Sequence, residues 1–474
     1  MASLRRMIIF PAFACFCLLG YLVIWINTSA APYEALDQHI SNNKPTTNYD
    51  VEETSTEEKY LAFFTHSGLQ NQLNEVENAI LLAWFLNRTL IMPRALFGQP
   101  FGWMPFDRLL LEHQLRDDSE SQVQMCLDHD AELDLLENDC PDPSKYTMLA
   151  FDDIFDLEWA KKHVRIINRE NMTYEWLEEK LDIRRAGEMH LPNGSYVDGD
   201  ILYFKDETRY HWRIFDMIQE GDRKGKYAES LDVREMRHVP QKLIHLGSVF
   251  GSGKILIRRP EHLEFWRKLQ RSIIYRHPVV TKVAENFLAS LNGPGSFIGV
   301  HVRSGDGFFI KALPRNMQKI MSQIKTAITK HTDIPSLQKQ LEIIPKDPTL
   351  AQCLELAKSH NITMVYLATD AREPSTNPDI AVLYATFPCT FSIDDFKEPV
   401  NQPGWDALSN VTNPRDGRNM MKYLIPMVDA TIASRGRLFV GTDSSTFSGY
   451  ISRLHDVFWT EQQAATLIGY RNQF

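Results

Sequence analysis

The chain has 474 residues, 43% of them hydrophobic, and carries 51 basic and 61 acidic side chains for a net charge of −10. That length exceeds one ordinary domain and supplies real cores for two. The acidic balance, without a long basic block, argues against nucleic acid as a partner, and the composition is that of a globular protein.

The N-terminus sets the expected compartment. Arg5 and Arg6 precede Met7 to Ile26, a run without a charged side chain and long enough to span the hydrocarbon core of a bilayer. The apolar part of a cleavable signal peptide is shorter, about 7–15 residues. Arginines on the near side place residues 1–6 in the cytoplasm. The expectation is a single-pass type II membrane protein: a transmembrane signal anchor over 7–27, then a catalytic part in the lumen of the Golgi or endoplasmic reticulum. Thr28-Ser29-Ala30-Ala31 offers a cleavage site, so secretion stands as the alternative.

N-x-[ST] sequons beginning at Asn87, Asn171, Asn193, Asn361 and Asn410 agree with a luminal location. Cys15 and Cys17 lie in the apolar run, which leaves Cys126, Cys140, Cys353 and Cys389. Four cysteines allow three pairings. Cys126–Cys140 and Cys353–Cys389 are favoured because each falls within one expected domain; four unpaired buried thiols are the other reading.

Residues 28–58 are polar, acidic and poor in bulky apolar groups, so they cannot bury enough surface to order themselves. They read as a stalk. Leu61 to Phe64 reads as a strand, followed by the polar loop His66 to Gln72. Leu73, Val76, Ala79, Ile80, Ala83 and Leu86 then recur at helical spacing. Thr89 to Met92 is β-rich and stops at Pro93, which completes a βαβ unit. Residues 100–285 show no ordering of elements. Gly247 to Gly253 reads as a glycine-rich turn and not as a P-loop, because the glycine spacing fails and Ile255 stands where a hydroxyl belongs.

The later half is clearer. Ser296 to Val300 reads as a strand delivering His301, Arg303 and Asp306. Met317 to Ile328 and Leu350 to Ala357 read as helices, and Met364 to Leu367 as a strand ending at Asp370. Ile380 to Phe387 and Met420 to Ile432 read as helices. Leu438 to Gly441 is a strand, and a closing helix runs from about Ser445 to Leu454. Such alternation predicts a parallel sheet with helices on both faces.

Two strand ends then carry the chemistry. Arg303 offers a planar fork matched to phosphate oxygens, with His301 two residues away on the same strand face. Ser444-Ser445-Thr446 stands at a predicted helix start, where free N–H groups and the dipole favour an anion. Together they suit a nucleotide diphosphate at the C-terminal ends of the strands. Taken singly, each has a plainer explanation: an Arg303–Asp306 salt bridge, or a serine helix cap. Asp370 and Asp429 are candidate acceptors for ribose hydroxyls or a guanine N–H. Asn71 is a candidate substrate contact at the first strand–helix junction, and Glu75 and Glu77 are candidate bases. Asp198-Gly199-Asp200 has a metal-binding D-x-D form, but a turn explains it better.

HSGLQNQLNEVENAILLAWFLNRTLIMP, FIGVHVRSGDGFF, VYLATD and RLFVGTDSSTFSGYISR occur in that order, and the set resembles the GDP-fucose protein O-fucosyltransferase-like family. The resemblance covers about 60–100 and 295–455, with an echo in LIHLGSVFGSG. It implies an α/β fold of two Rossmann-like domains facing across a cleft, the GT-B arrangement. By position these are an N-terminal acceptor-side domain over 59–290 and a GDP-sugar-binding domain over 291–474. It implies metal-independent, inverting transfer of fucose from GDP-fucose to a protein Ser/Thr or a glycan. Catalytic roles carry over to Arg303 and Asn71. Donor contacts carry over to His301, Arg303, Asp306, Asp370, Asp429, Ser445, Thr446 and Phe447. No cofactor or metal is expected. The alternatives are a non-catalytic, membrane-anchored sugar or glycoprotein binder and a transferase using another GDP-sugar.

Overall fold

A computed structural model describes residues 57–117, 140–305, 307–329, 341–396 and 404–471. Asp306, Cys126 and the expected anchor and stalk up to residue 56 lie outside them. Glu57 to Phe474 form one compact unit. Among the described residues no helix is long and apolar enough to cross a membrane.

The first sheet grows around β1 (Tyr60–Phe64), every residue of which is buried. Its other strands are β2 (Thr89–Met92), β3 (Ile166–Asn168), β4 (Glu188–His190), β5 (Tyr196–Asp198), β6 (Ile201–Phe204) and β7 (Leu243–Ser248), in the order β3-β2-β1-β7-β6-β5-β4. The pairings from β3 to β6 are parallel. β5 and β4 add an antiparallel edge. The expected βαβ unit is present: α1 (Leu69–Leu86) joins β1 to β2. Asn87 ends α1 in the left-handed conformation, its N–H returning to the carbonyls of Ala83 and Trp84, as helix C-caps do. The neighbouring Arg88 is buried and donates to the carbonyls of Tyr60, Val239, Gln241 and Lys242, which ties β1 to the approach of β7.

The second sheet is fully parallel. It comprises β8 (Phe297–Val302), β9 (Met364–Thr369), β10 (Thr390–Ser392) and β11 (Leu438–Gly441), ordered β10-β9-β8-β11. Six further helices matter here: α2 (Pro260–Ser272), α3 (Pro278–Ser290), α4 (Gly307–Thr329), α5 (Leu350–His360), α6 (Met421–Ser434) and α7 (Thr446–Arg471). α6 lies directly on β8, because a Cβ at Gly299 would stand 1.9 Å from the Ala433 carbonyl oxygen. Only glycine permits that approach.

The largest hydrophobic core contains side chains from both sheets, among them Phe63, Leu90, Phe297 and Tyr366. α3, in sequence on the first sheet's side of the expected boundary, packs against α6, and α7 reaches back to α1 and α2. The Cys353–Cys389 disulfide is present. Cys140 is also disulfide-bonded. Of the five sequons, Asn87, Asn193, Asn361 and Asn410 are exposed, whereas Asn171 is half-buried and accepts from the Thr173 N–H.

The elements expected in residues 296–454 all form, several of them longer than expected. One correction concerns an earlier part of the chain, and one plainer reading is realised there. Gly247 and Ser248 of the expected turn are the end of β7, a central strand of the first sheet. The D-x-D carboxylates are structural: Asp198 is fully buried and accepts from Arg185 and from the Ala186 and Gly187 N–H groups, while Asp200 accepts from the Arg184 N–H. Both hold the 184–187 segment beside β5. Among the described residues no cluster of acidic, histidine or cysteine side chains is arranged to hold a metal ion.

Candidate functional site

The second sheet builds outward from β8, with β9 and β10 on one side and β11 on the other. Such a switch point leaves a crevice beyond the C-terminal strand ends. Arg303 follows β8 and Ser445 follows β11, so the sheet brings the two predicted motifs to one edge. The tie between them is Thr442, whose hydroxyl accepts from the Arg303 N–H at 3.0 Å and donates to the His301 carbonyl at 3.2 Å.

Arg303 is one-third exposed, and its guanidinium meets Asp370 at 2.9 Å. Its acidic partner thus comes from the end of the neighbouring strand β9, and the plainer explanation of a bridge to Asp306 falls on a residue outside the described ones. The same Asp370 carboxylate accepts from the Ser304 N–H and hydroxyl and from the Gly305 N–H. It therefore shapes the loop after β8 and aims Arg303. Little of its acceptor capacity is left for a ribose.

His301 does not stand beside Arg303 in the crevice. It is buried, its Nδ1 lies 2.6 Å from the Ser448 hydroxyl, and its ring meets Phe447 edge-on at 5.0 Å. Burial pulls its pKa down to about 3, so the imidazole is neutral and brings no charge to a phosphate. Its visible work is to seat the first turn of α7 against β8.

Ser445 is the N-cap of α7, its hydroxyl accepting from the Ser448 N–H at 3.3 Å. The plainer reading of this serine is therefore realised. The first N–H groups of a helix lack intrahelical partners, and α7 starts at the same sheet edge as Arg303, just after β11. Ser444 takes a positive φ of 62° to enter that turn. Thr446 is exposed, and its hydroxyl donates to the Asn71 side-chain oxygen at 2.9 Å. Asn71 belongs to the first turn of α1. The starts of two helices from opposite sheets thus face each other.

Asp429, on α6, is buried and accepts from the Tyr366 hydroxyl at 2.6 Å. Burial raises its pKa to about 7. It stands under the end of β9 with one carboxylate oxygen committed to the core.

Neither candidate base survives. Glu75 is fully buried and accepts from the His66 N–H and the Ser248 hydroxyl, both at 2.8 Å. Burial raises its pKa well above the usual carboxylate range. Glu77 is 3% exposed and pairs with Arg453 of α7 at 2.6 Å. A group sealed in this way cannot reach an acceptor hydroxyl.

Sequence reasoning missed Thr442 and Ser448, although the run GTDSSTFS carries them openly as hydroxyls flanking a helix start. It also missed a buried network at the end of β1 and β7. There His66 lies 2.9 Å from the Ser248 hydroxyl, Asp206 accepts from the Ser248 N–H, and Lys254 pairs with Asp206 at 3.2 Å. Lys254 and Asp206 are each 2% exposed.

A parallel α/β sheet with an arginine and a helix start at its switch point has the features that suit a phosphate-bearing ligand in open α/β proteins. Comparison with known proteins is more specific. The family model for GDP-fucose protein O-fucosyltransferase matches residues 137–458. The chain belongs to that family and is a glycosyltransferase of the fucosyl-transferring kind. A 61-residue stretch is 43% identical to "O-fucosyltransferase 30" of Arabidopsis thaliana, spanning 12% of this chain and 12% of that protein. Among solved structures, POFUT1 in complex with GDP-fucose is 13% identical, with 85% of this chain and 96% of that chain covered and a TM-score of 0.38. NodZ alpha-1,6-fucosyltransferase soaked with GDP-fucose is 12% identical, with 84% and 93% covered and a TM-score of 0.35.

Proposed function

We propose that the chain transfers fucose from GDP-fucose to a hydroxyl acceptor, a protein Ser or Thr, with inversion and without a metal ion. The observation that carries this reading is that Arg303 and the start of α7 follow the C-terminal ends of the adjacent strands β8 and β11, with Thr446 of α7 bonded to Asn71 of the first sheet. As the glycosidic bond lengthens, positive charge develops on the sugar, as in other glycosyl transfers. Negative charge collects on the departing diphosphate. Arg303 and the α7 N–H groups are fixed where that charge appears, and preorganised donors of this kind stabilise a transition state more than the ground state. Asn71, held to Thr446, faces the same place from the first sheet and serves to position donor or acceptor. Asp429 is assigned to the nucleoside end of the donor.

In this reading the first sheet forms the acceptor side, over 59–290, and the second the GDP-sugar side, over 291–474, in a GT-B arrangement. Charge neutralisation falls to Arg303 and the helix start, because the D-x-D carboxylates are engaged in holding their own loop. The anchor over 7–27 and exposed sequons support a luminal site in the secretory pathway.

The test is hydrolysis of GDP-fucose and of other nucleotide sugars by the purified chain with EDTA present. GDP-fucose should be turned over preferentially and without added metal. Activity that vanishes on chelation and returns with manganese would contradict the metal-independent mechanism. Preference for another GDP-sugar would contradict the donor.

A further inference from the structure

We infer that a basic groove beside the donor edge is an acceptor subsite that takes an acidic peptide segment around the hydroxyl to be modified. The inference rests on the transferase reading above and names the substrate class for it. The groove has a volume of about 550 Å³ and is bounded by the segment 209–227, the turn 250–253 and Thr446. Because Thr446 donates to Asn71, one end of the groove opens on the place assigned to the reacting sugar.

Its charge is opposite to that of the whole chain. Arg209, Arg213, Lys224 and Lys226 line it, and no carboxylate does, in a protein of net charge −10. Lys224 pairs with Glu229 at 2.9 Å. Among the described residues Arg209, Arg213 and Lys226 have no acidic partner within salt-bridge distance, and Arg213 keeps a buried Nε without a hydrogen-bond partner. Concentrated cations without acids are a standing attraction for an anionic ligand.

The groove is also held in shape. The buried Asp206–Lys254 pair, with the Ser248 N–H on Asp206, locks the segment before Arg209 to the turn after β7. The Ala228 N–H donates to the Tyr210 carbonyl at 2.9 Å, which pins the Lys224–Lys226 turn alongside. The cations need little reordering to bind.

Two features separate a peptide from the other anions. The donor's diphosphate is already served by Arg303 and α7 on the second sheet, whereas these cations lie in the segment between β6 and β7, Arg213 on the short strand Trp212–Phe215. Sugar rings stack on open aromatic faces, but here the faces are occupied: the Lys226 ammonium lies 3.8 Å from the Tyr210 centroid, and the Arg209 guanidinium lies 5.2 Å from that of Phe250. What remains on offer is a row of charged donors, which suits side-chain carboxylates.

The test uses the full chain in detergent with saturating GDP and two fluorescein-labelled peptides, Glu-Glu-Ser-Glu-Glu and its Gln-Gln-Ser-Gln-Gln counterpart, read by fluorescence anisotropy. The acidic peptide should bind more tightly, and more weakly as salt is raised. The double variant Arg209→Gln with Lys226→Gln should weaken it about tenfold, since exposed charge contacts are individually modest. The affinity for GDP by calorimetry should stay unchanged. Equal binding of the two peptides, or an unaffected double variant, would overturn the proposal. So would a loss of GDP affinity in the double variant, which would assign the cations to the diphosphate. A sulfated oligosaccharide that binds the groove more tightly than the acidic peptide would replace the peptide with an acidic glycan. A chain that binds the acidic peptide through these cations but does not bind GDP would keep the groove and sink the donor reading alone.

Discussion

The two sheets end in opposite ways. Beyond β1 and β7 the polar groups spend themselves on one another: His66, Glu75, Ser248, Asp206 and Lys254 are all buried and mutually bonded. Beyond β8 and β11 a similar set of residue types leaves Arg303 and Thr446 partly open to solvent, with the buried members His301, Thr442 and Ser448 beneath them. Both edges are switch points of their sheets, so topology alone does not separate them. What separates them is whether the polar groups are satisfied internally. A closed network fixes the fold, because buried polar groups that lose a partner are costly. An edge with donors facing outward is equipped for an anion.

The strongest way to break that contrast is at the closed edge. Lys254→Met should leave the Asp206 carboxylate buried without its cation, and breaking a buried pair in this way costs roughly 3–5 kcal/mol. Denaturant unfolding should record that loss. GDP binding under conditions where the variant stays folded should be little changed. A loss of GDP affinity with stability intact would mean that the first edge is the donor site.

At the open edge the signs reverse. Arg303→Ala should lower turnover by about 10²–10³, the usual cost of removing one preorganised donor to developing negative charge, while the melting temperature moves little. Arg303→Lys should recover poorly, because an ammonium cannot reproduce the two-pronged contact. Near-native turnover in Arg303→Ala would remove this residue from the mechanism.

A smaller effect sharpens the layering within the open edge. The folded pKa of His301 is held at about 3, below that of an exposed histidine near 6.5. The unfolded chain therefore binds the proton first as pH falls, and the contribution of this residue to stability is full above about pH 6.5 and declines below it. Relative to His301→Gln, the wild type should lose stability on acidification by at most about 1.4 kcal/mol per pH unit. Urea unfolding at pH 7 and pH 5 would show it. A difference independent of pH would mean that His301 is not held neutral.

Much of the second sheet was legible because three of its four strands are short apolar runs that lead into polar motifs: Val300 before His301, Leu367 before Asp370, Val440 before Ser444-Ser445-Thr446; β10, only Thr390–Ser392, was not. Residues 100–285 were not, because their described strands are only two to six residues long and several pair across large separations, as β1 does with β7. Periodicity cannot supply such pairings. The motif residues were found, but their division of labour was not. Sequence places His301 and Arg303 on one strand face; the strand ends at Val302, so Arg303 turns outward and His301 stays in the core. Asp370 was visible as a strand-end acid, yet its four contacts with Arg303, Ser304 and Gly305 depend on the neighbouring strand. Glu75 and Glu77 show the same limit: acids in the first turns of a helix look available until the packing seals them.

The most direct test of the open edge as the diphosphate site is calorimetry of GDP and of guanosine on the wild type and on the Ser445→Ala, Thr446→Ala double variant. Loss of the N-cap alone should cost about 1 kcal/mol of stability. If the start of α7 holds the diphosphate, GDP should weaken far more than guanosine, because only GDP presents the charge that a helix N-terminus attracts. Equal losses for the two ligands would show that this loop supports the pocket without touching phosphate, and would contradict the account.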